Sequence, residues 1–461
     1  MTLGRQRPFP LRVRACVALL VMILIPASTA GREAAASEET PLVLTLDRAI
    51  ALALGQNRDI LIAAQDRSKA EAQISEVRSG ALPALDLSAA YTRNIQKPVL
   101  FLPPNSPINP TNSTAEFELG SNNAYDIAAS LSQTLYNRRV GIALDLAETY
   151  RDYAREAYRG TEQSVTLTVK KAFYGVLLAE KLVEANRQGL EIVRANFEDI
   201  ESQYRHGTAA EYDMLRAEVE VANTEPLLIS AENNLELAKN SLKNLCSLSI
   251  DQEIEAQGDF TFEEIPGTDV ERARREAPSN NIVIRELSLN QTMQEKNISV
   301  ERAGWFPTLS LVGGYSWQTQ DNSFQLNRYQ WAQTSSLGLI LSFPLFDGAR
   351  TSARVREARS EYEKSRLARL KAEESLVIQI ESAELRMAEA KKRVQGQEKS
   401  IAQARRAVHI AQTRFTNGVG TQLELLDSQV ALTRVQTNYA QAVYDYLVAK
   451  ADWQFAVGLP Q

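Results

Sequence analysis

The sequence contains few of the residues that cross-link proteins or carry catalysis. Of its 461 residues, two are cysteine and two are histidine: Cys16, Cys246, His206 and His409. Cys16 lies in an N-terminal segment that we expect to be removed, and the one remaining cysteine cannot form an internal disulfide. Without a Cys/His cluster the sequence predicts no metal site, and we expect no cofactor. It also lacks a Ser/His/Asp or Cys/His arrangement that would indicate an enzyme.

Basic blocks and long apolar runs are also absent from most of the chain. The net charge of −6 and the lack of a basic block argue against nucleic acid as the main partner. Only the N-terminus combines arginines, an apolar run at 15–25 and small residues up to Ala30. This layout predicts a signal peptide over 1–30. The alternative is a membrane anchor, but the run is shorter than the roughly 18 residues that a membrane helix needs.

Proline is missing from two long stretches, between Pro110 and Pro226 and between Pro344 and Pro460. Within the second stretch, apolar residues recur at spacings of four and three, which is typical of a coiled-coil seam. The seam consists of Leu376, Ile380, Ala383, Met387, Ala390, Val394, Gln397, Ile401, Ala404, Val408, Ala411 and Phe415. After a glycine-containing turn at 417–421, a second periodic segment follows. We therefore predict a hairpin of two long helices.

The same pattern occurs earlier in the chain. An apolar seam at 169–204 matches the seam at 380–415 when it is shifted by 211 residues. Each seam contains one polar residue, and the shift also places Asn186 on Gln397. Pro83 and Pro307 lie in matching segments further upstream. These matches predict two tandem structural repeats, over 31–250 and 268–461, joined by a connector at 251–267. We expect helices at about 44–80, 138–205 and 210–246 in the first copy, and at about 268–304, 349–416 and 421–457 in the second.

Four segments alternate between apolar and polar residues, at about 84–93, 123–133, 308–318 and 333–343. This pattern favours transmembrane β-strands with one face toward lipid, although a sheet packed on a soluble core would alternate as well. Four strands are too few to close a barrel, and a bilayer does not tolerate open sheet edges. If the strands span a membrane, several chains must share one barrel. The proline-rich segment at 94–122 is predicted to be a solvated surface loop.

The chain resembles the outer-membrane efflux protein family, the TolC-like channel-tunnels. The resemblance rests on the doubled layout, on the Phe-Pro-Leu-Phe-Asp-Gly segment at 343–348, and on Asn417-Gly418 followed by Leu425-Leu426-Asp427. It implies an α+β membrane protein without enzymatic activity, located in the outer membrane of a Gram-negative cell and projecting into the periplasm. It further implies a homotrimer that shares a 12-stranded β-barrel, four strands per chain, continued by a coiled-coil α-helical barrel.

The resemblance also implies partners and site residues. The duct would receive cargo from an inner-membrane pump of the RND, ABC or MFS type through a periplasmic adaptor, in tripartite efflux or type I secretion. The hairpin turns, with tips at 204–216 and 415–427, would form the periplasmic end. Adaptor contacts are expected at Gly207, Thr208, Gly418, Val419, Gly420 and Thr421.

Four charged residues are expected at the tunnel entrance. Glu424 and Asp427 match acidic residues that narrow the entrance in the family, and Asp213 and Arg216 occupy the equivalent places in the first copy. The entrance is thus a predicted ring of mixed charge, in which Arg216 could pair with a carboxylate of a neighbouring hairpin. Alternatively, Glu424 and Asp427 are first-turn acids stabilised by the positive end of a helix.

Two residues of the second tip depart from the family pattern, and two other classes of protein share part of this sequence pattern. Phe415 and Gly420 stand where some relatives carry a tyrosine and an arginine that lock the closed state, so the closing bonds must differ. A secreted coiled-coil structural or adhesion protein would explain the seams but not the strand pairs, and a soluble periplasmic enzyme would need titratable residues that are not seen. The sequence leaves the cargo open among drugs, metal ions, polysaccharide-linked exports and secreted proteins.

Overall fold

A computed structural model of the chain describes residues 41–324 and 329–459. The predicted signal peptide at 1–30 lies outside these residues. Among the helices of the described part, none is long and apolar enough to cross a membrane.

The described chain is an α+β structure dominated by helices. The first half contains β1 (Leu42–Leu44), α1 (Leu46–Gln56), α2 (Arg58–Ser79), β2 (Ala84–Arg93), β3 (Val99–Leu102), β4 (Ala115–Glu118), β5 (Asn123–Asn137), α3 (Arg138–Arg205) and α4 (Glu211–Leu245). The second half contains β6 (Ile254–Ala256), α5 (Gly267–Asn280), α6 (Ile282–Arg302), a short 3₁₀ turn (Ala303–Trp305), β7 (Thr308–Asp321), β8 (Ala332–Ser342), α7 (Arg350–Thr416) and α8 (Gln422–Val457).

The predicted single helices at 44–80 and 268–304 are wrong, because an asparagine divides each of them. Asn57 and Asn281 have extended backbones, and their side chains cap α2 and α6. Each side-chain amide also donates to the end of another helix, Asn57 to the Leu245 carbonyl at 3.0 Å and Asn281 to the Ala456 carbonyl at 2.9 Å. These contacts between distant segments stabilise the breaks, and a helical period in the sequence does not reveal them.

The four longest helices form two hairpins that lie side by side. Helix α3 packs on α4, α7 packs on α8, and α3 also contacts α8, so the order across the layer is α4, α3, α8, α7. At 68 residues, α3 is on the order of 100 Å long. Pro226 lies inside α4 on an exposed turn, where water can satisfy the carbonyl that its missing N–H leaves unbonded. Helices α4 and α7 are therefore the two edges of the layer.

The buried core lies where the short and long helices meet. In the first half Leu44, Phe173 and Leu242 are almost completely buried together, and Cys246 joins them. Burial raises the pKa of the Cys246 thiol to about 11. Cys246 is a free, buried cysteine of this core. In the second half Trp453, Ile380 and Ala277 form the corresponding cluster.

Four long strands form one antiparallel sheet in the order β2, β5, β7, β8. The pairing register separates its two faces. Leu85 pairs with Leu131, Ile127 with Trp317 and Gly313 with Leu337, so one face is apolar. Side chains of the opposite face include Asp86, Ser88, Asp126, Ser130, Ser316, Gln318, Thr334 and Ser336. The sheet is thus amphipathic, with aromatic residues such as Tyr91 and Tyr125 in contact at one end.

Two smaller pairings correct the predicted loops. The segment at 94–122 contains the antiparallel hairpin β3–β4, so it is not simply a solvated loop. The connector at 251–267 contains β6, which pairs in parallel with β1. Strands β1 and β6 have three residues each and lie some 200 residues apart in the sequence. No local sequence pattern predicts that they pair, because the packing of the helices between them brings them together.

Candidate functional site

The first hairpin turn is built around Gly207. Helix α3 ends in a Schellman motif in which the Thr208 N–H donates to the Gln203 carbonyl and the Gly207 N–H donates to the Tyr204 carbonyl, both at 2.9 Å. Gly207 has a φ of +74°, which L side chains rarely adopt. His206 Nδ1 lies 2.7 Å from the Ser202 carbonyl, so this nitrogen carries the proton. Gly207 and Thr208 are both exposed.

The second turn repeats this geometry around Gly418. The Val419 N–H donates to the Arg414 carbonyl and the Gly418 N–H to the Phe415 carbonyl, both at 3.0 Å, and Gly418 has a φ of +72°. Gly420 follows in a tight position. A Cβ there would lie 2.9 Å from the Arg414 Cβ and 3.0 Å from the Phe415 nitrogen. The backbone of this turn therefore leaves no room for a side chain at Gly420.

The two turns differ at the start of their second helices. The Thr421 hydroxyl caps α8 by accepting from the Glu424 N–H at 3.2 Å. The equivalent Ala210 provides no side-chain cap for α4. A threonine cap stabilises a helix end by about 1 kcal/mol, so the second tip has a stabilising contact that the first lacks.

The four predicted entrance residues lie at these helix starts, but they form no ion pair with one another in the described part of the chain. Glu424 instead lies 3.6 Å from the Arg414 side chain of its own hairpin. Asp427 and Glu424 are exposed, whereas Asp213 and Arg216 are half-buried. Glu424 also belongs to the first turn of α8, so stabilisation by the helix end accounts for this carboxylate equally well.

The tips of the two hairpins are in direct contact within one chain. The Gln422 side chain donates to the Asp213 carbonyl at 3.4 Å. Leu425 and Leu426 are buried one turn later. Gln429, one turn further along α8, and Asn196 of α3 have buried amides without a hydrogen-bond partner among the described residues. The contact between the hairpins near the tip therefore combines buried leucines, one hydrogen bond and two buried amides without a partner among the described residues.

Sequence reasoning missed several residues of this region. The contacts of Arg414 and Gln422 were not predicted, and neither were the buried amides of Asn196 and Gln429. Gln429 lies one turn beyond Leu425 and Leu426, and following the period of α8 beyond the turn would have shown a polar residue on a buried face. No signal indicated Gln422 or Arg414, because their partners come from another helix or from across the turn.

A family model and several known proteins match this chain over most of its length. The model of the outer membrane efflux protein family matches residues 49–247 and 273–459. Outer membrane protein TolC of Vibrio cholerae is 23% identical over 402 residues, which cover 87% of both chains. The alkaline protease secretion protein AprF of Pseudomonas aeruginosa is 24% identical over 66% of this chain and 63% of its own. The fold is similar to the crystal structure of the CmeC outer membrane channel of Campylobacter jejuni, with a TM-score of 0.74 and 19% identity over 90% of this chain and 85% of that chain.

An amphipathic sheet that continues into paired long helical hairpins is the fold of the outer-membrane channels that this chain resembles. The chain belongs to the outer membrane efflux protein family. It is an outer-membrane channel protein and not an enzyme. Family membership thus excludes the secreted adhesion protein and the periplasmic enzyme as alternatives.

Proposed function

We propose that three copies of this chain form the exit duct of a tripartite efflux or type I secretion system. The observation that carries the proposal is the four-stranded amphipathic sheet with two open edges. All residues of the edge strands β2 and β8 are exposed, including Leu85 and Leu339. In a bilayer these unpaired backbone groups require partners. Closure by β8 of one copy against β2 of the next would give a barrel of twelve strands.

The edges of the helical layer support the same closure. Helix α4 exposes Tyr212, Leu215 and Val219 at spacings of three and four, and α7 exposes Val377 and Leu385. These residues would be covered if α4 of one copy packed against α7 of the next. The repeats at 31–250 and 268–461 would then alternate around the ring, and six hairpin tips would surround the periplasmic mouth.

At this mouth we propose a ring of mixed charge made of Asp213, Arg216, Glu424 and Asp427. Arg414 neutralises part of the charge of Glu424, so Asp427 is the stronger negative site. Arg216, which is not paired with Glu424 or Asp427 within its own chain, would reach a carboxylate of the next copy. A narrow negative mouth attracts cations.

The exposed turns are the proposed docking sites of a periplasmic adaptor, which would connect the duct to an inner-membrane pump. They comprise Gly207, Thr208, Gly418, Val419, Gly420 and Thr421. The large exposed side chain of Val419 and the fixed backbones of the two Schellman motifs would present a constant shape to that partner. The alkaline protease secretion protein AprF is a relative, which favours protein as one class of cargo.

The test combines assembly with conductance. Purified protein should run as a heat-resistant trimer in detergent and should form cation-selective channels in planar bilayers. Asp427→Asn should lower the ratio of cation to anion permeability more than Glu424→Gln. Glu398→Gln is the control, because it removes an exposed carboxylate of α7 that lies about five helical turns before the tip. A monomeric product would refute the duct, and equal selectivity in all variants would refute the charged ring.

A further inference from the structure

A groove runs along one side of the helical layer, with helix α3 as its floor and helices α4 and α8 as its walls. A Cβ on Gly189 of α3 would lie 3.1 Å from the hydroxyl oxygen of Thr433, which belongs to the α8 wall, so a side chain at this position would narrow the groove. We call the cavity the amide groove and define it by Gly189, Val193, Glu220, Leu227, Gln429 and Arg434.

Gln429 supplies an unpaired carboxamide to the wall of the amide groove. The residue is only 4% exposed, and neither its side-chain oxygen nor its side-chain nitrogen has a hydrogen-bond partner among the described residues. A buried polar group without a partner destabilises a protein, so such groups are normally satisfied. The donor and the acceptor lie on one planar group, and a second carboxamide can satisfy both. The groove therefore contains an unsatisfied group of defined chemistry.

The other residues of the groove define the size and charge of a ligand. Val193 and Leu227 are apolar, whereas Glu220 and Arg434 contribute one charge of each sign. The groove has a volume of about 350 Å³, and sites for small molecules typically measure about 300–1,000 Å³. Because its charges balance, the groove favours a small ligand without net charge, which loses less hydration than an ion on entering.

The groove lies on the side of the helical layer that faces the lumen in the proposed duct. Phe260 of the connector and Glu184 of α3 line a cleft on the other side, where Phe173 packs in the core with α1. At about 100° per residue, Asn186 and Val193 fall on the opposite side of α3 from Glu184. The connector and α1 would obstruct a passage on their side, so they lie outside the duct and the amide groove lies inside.

We propose that the amide groove binds a small, uncharged organic molecule that carries a carboxamide and an apolar substituent. The ligand carboxamide pairs with the carboxamide of Gln429, and the apolar substituent lies against Val193 and Leu227. The groove is formed within one chain, but its position in the lumen rests on the proposed function. Three copies would give the duct three such sites.

Binding is measured on protein in lipid nanodiscs with N-acetyl-L-leucinamide as the probe. Saturation-transfer NMR gives the dissociation constant, and nanodiscs without protein give the background. Gln429→Leu keeps the approximate size of the side chain and removes its amide, so we expect binding to weaken about tenfold. N-acetyl-L-leucine methyl ester has an ester in place of the terminal carboxamide, and it should bind the parent protein about tenfold more weakly than the probe.

Asn196→Leu is the matched control. Asn196 is 6% exposed and its amide also lacks a partner among the described residues, but it does not line the groove. This variant should bind the probe as the parent protein does. Both substitutions replace a buried, unpaired amide by an apolar group, so neither should lower the unfolding temperature. A loss of binding in Gln429→Leu alone therefore reports on the groove and not on folding.

Channel current tests the position of the groove in the lumen. The probe should reversibly lower the single-channel current of the parent protein and of Asn196→Leu in planar bilayers, and it should do so much less in Gln429→Leu. Binding without any change of current would overturn the placement in the lumen.

Two results would overturn the site itself. These are the absence of probe binding to the parent protein and equal weakening of binding in both variants. In either case a trimer that conducts ions leaves the proposed duct standing. Conversely, a monomeric product that binds the probe with the expected dependence on Gln429 would refute the duct and leave the site standing.

Discussion

Asn281 joins three segments of the helical domain, so its removal should have a large local effect. Its side chain accepts from the N–H groups of Val283 and Ile284 at 3.0 and 3.2 Å, and it donates to the buried Ala456 carbonyl at 2.9 Å. The residue is only 4% exposed. Asn281→Ala would remove the cap of α6, which costs about 1 kcal/mol. It would also leave the Ala456 carbonyl unsatisfied, at a cost of about 1–3 kcal/mol.

We therefore expect Asn281→Ala to lower the local free energy of opening by about 2–4 kcal/mol. Hydrogen exchange measured by mass spectrometry reports such local opening. Peptides that contain the start of α6 and the end of α8 should exchange at least about 30-fold faster, since about 1.4 kcal/mol corresponds to a factor of ten.

Asn280→Ala is the matched control, because Asn280 is exposed and is the last residue of α5. It should leave exchange at both sites nearly unchanged. Equal exchange in the two variants would contradict the reasoning, and so would faster exchange in α6 without any change at the end of α8. The second result would mean that Asn281 acts only as a helix cap.

Three further predictions concern the tips and the helical layer. Thr421→Ala should destabilise the second tip by about 1 kcal/mol, seen as faster exchange at the start of α8, whereas Ala210→Thr should slow exchange at the start of α4. Gly418→Ala should cost roughly 1 kcal/mol because of the positive φ, measured by the same exchange at the end of α7. Burial, followed by the nearby Glu156, raises the pKa of Glu286 above the ordinary value of 4.5. Protonated Glu286 therefore stabilises the folded state below pH 4.5, and this stabilisation is lost as the pH rises through the folded pKa. In Glu286→Gln, the unfolding temperature should depend less on pH over this range.

Each of these predictions can fail in a specific way. If Ala210→Thr has no effect while Thr421→Ala does, the two helix starts are not equivalent. A harmless Gly418→Ala would show that the turn relaxes away from the left-handed backbone. If Glu286→Gln keeps the pH dependence of the parent protein, another buried group is responsible.

Local periodicity in the sequence was enough to predict most of the long elements. Apolar residues at spacings of three and four predicted the hairpins that α3–α4 and α7–α8 form, because a long helix must bury one continuous stripe. Alternation predicted strands where β2, β5, β7 and β8 lie, because successive side chains of a strand point to opposite faces. The left-handed turns at Gly207 and Gly418 are likewise local, since glycine adopts a positive φ at little cost.

The tertiary structure alone decided the features that depend on distant partners. Asn57 and Asn281 break their helices because each amide reaches a carbonyl of another helix. Strand β6 forms on β1, which the packing of the intervening helices brings beside it. At the tip, Glu424 pairs with Arg414 across the turn, and Gln422 reaches the first hairpin. A sequence period records which face of a segment is buried. It does not predict which polar groups form hydrogen bonds or ion pairs there, because these contacts depend on how separate helices are placed in space.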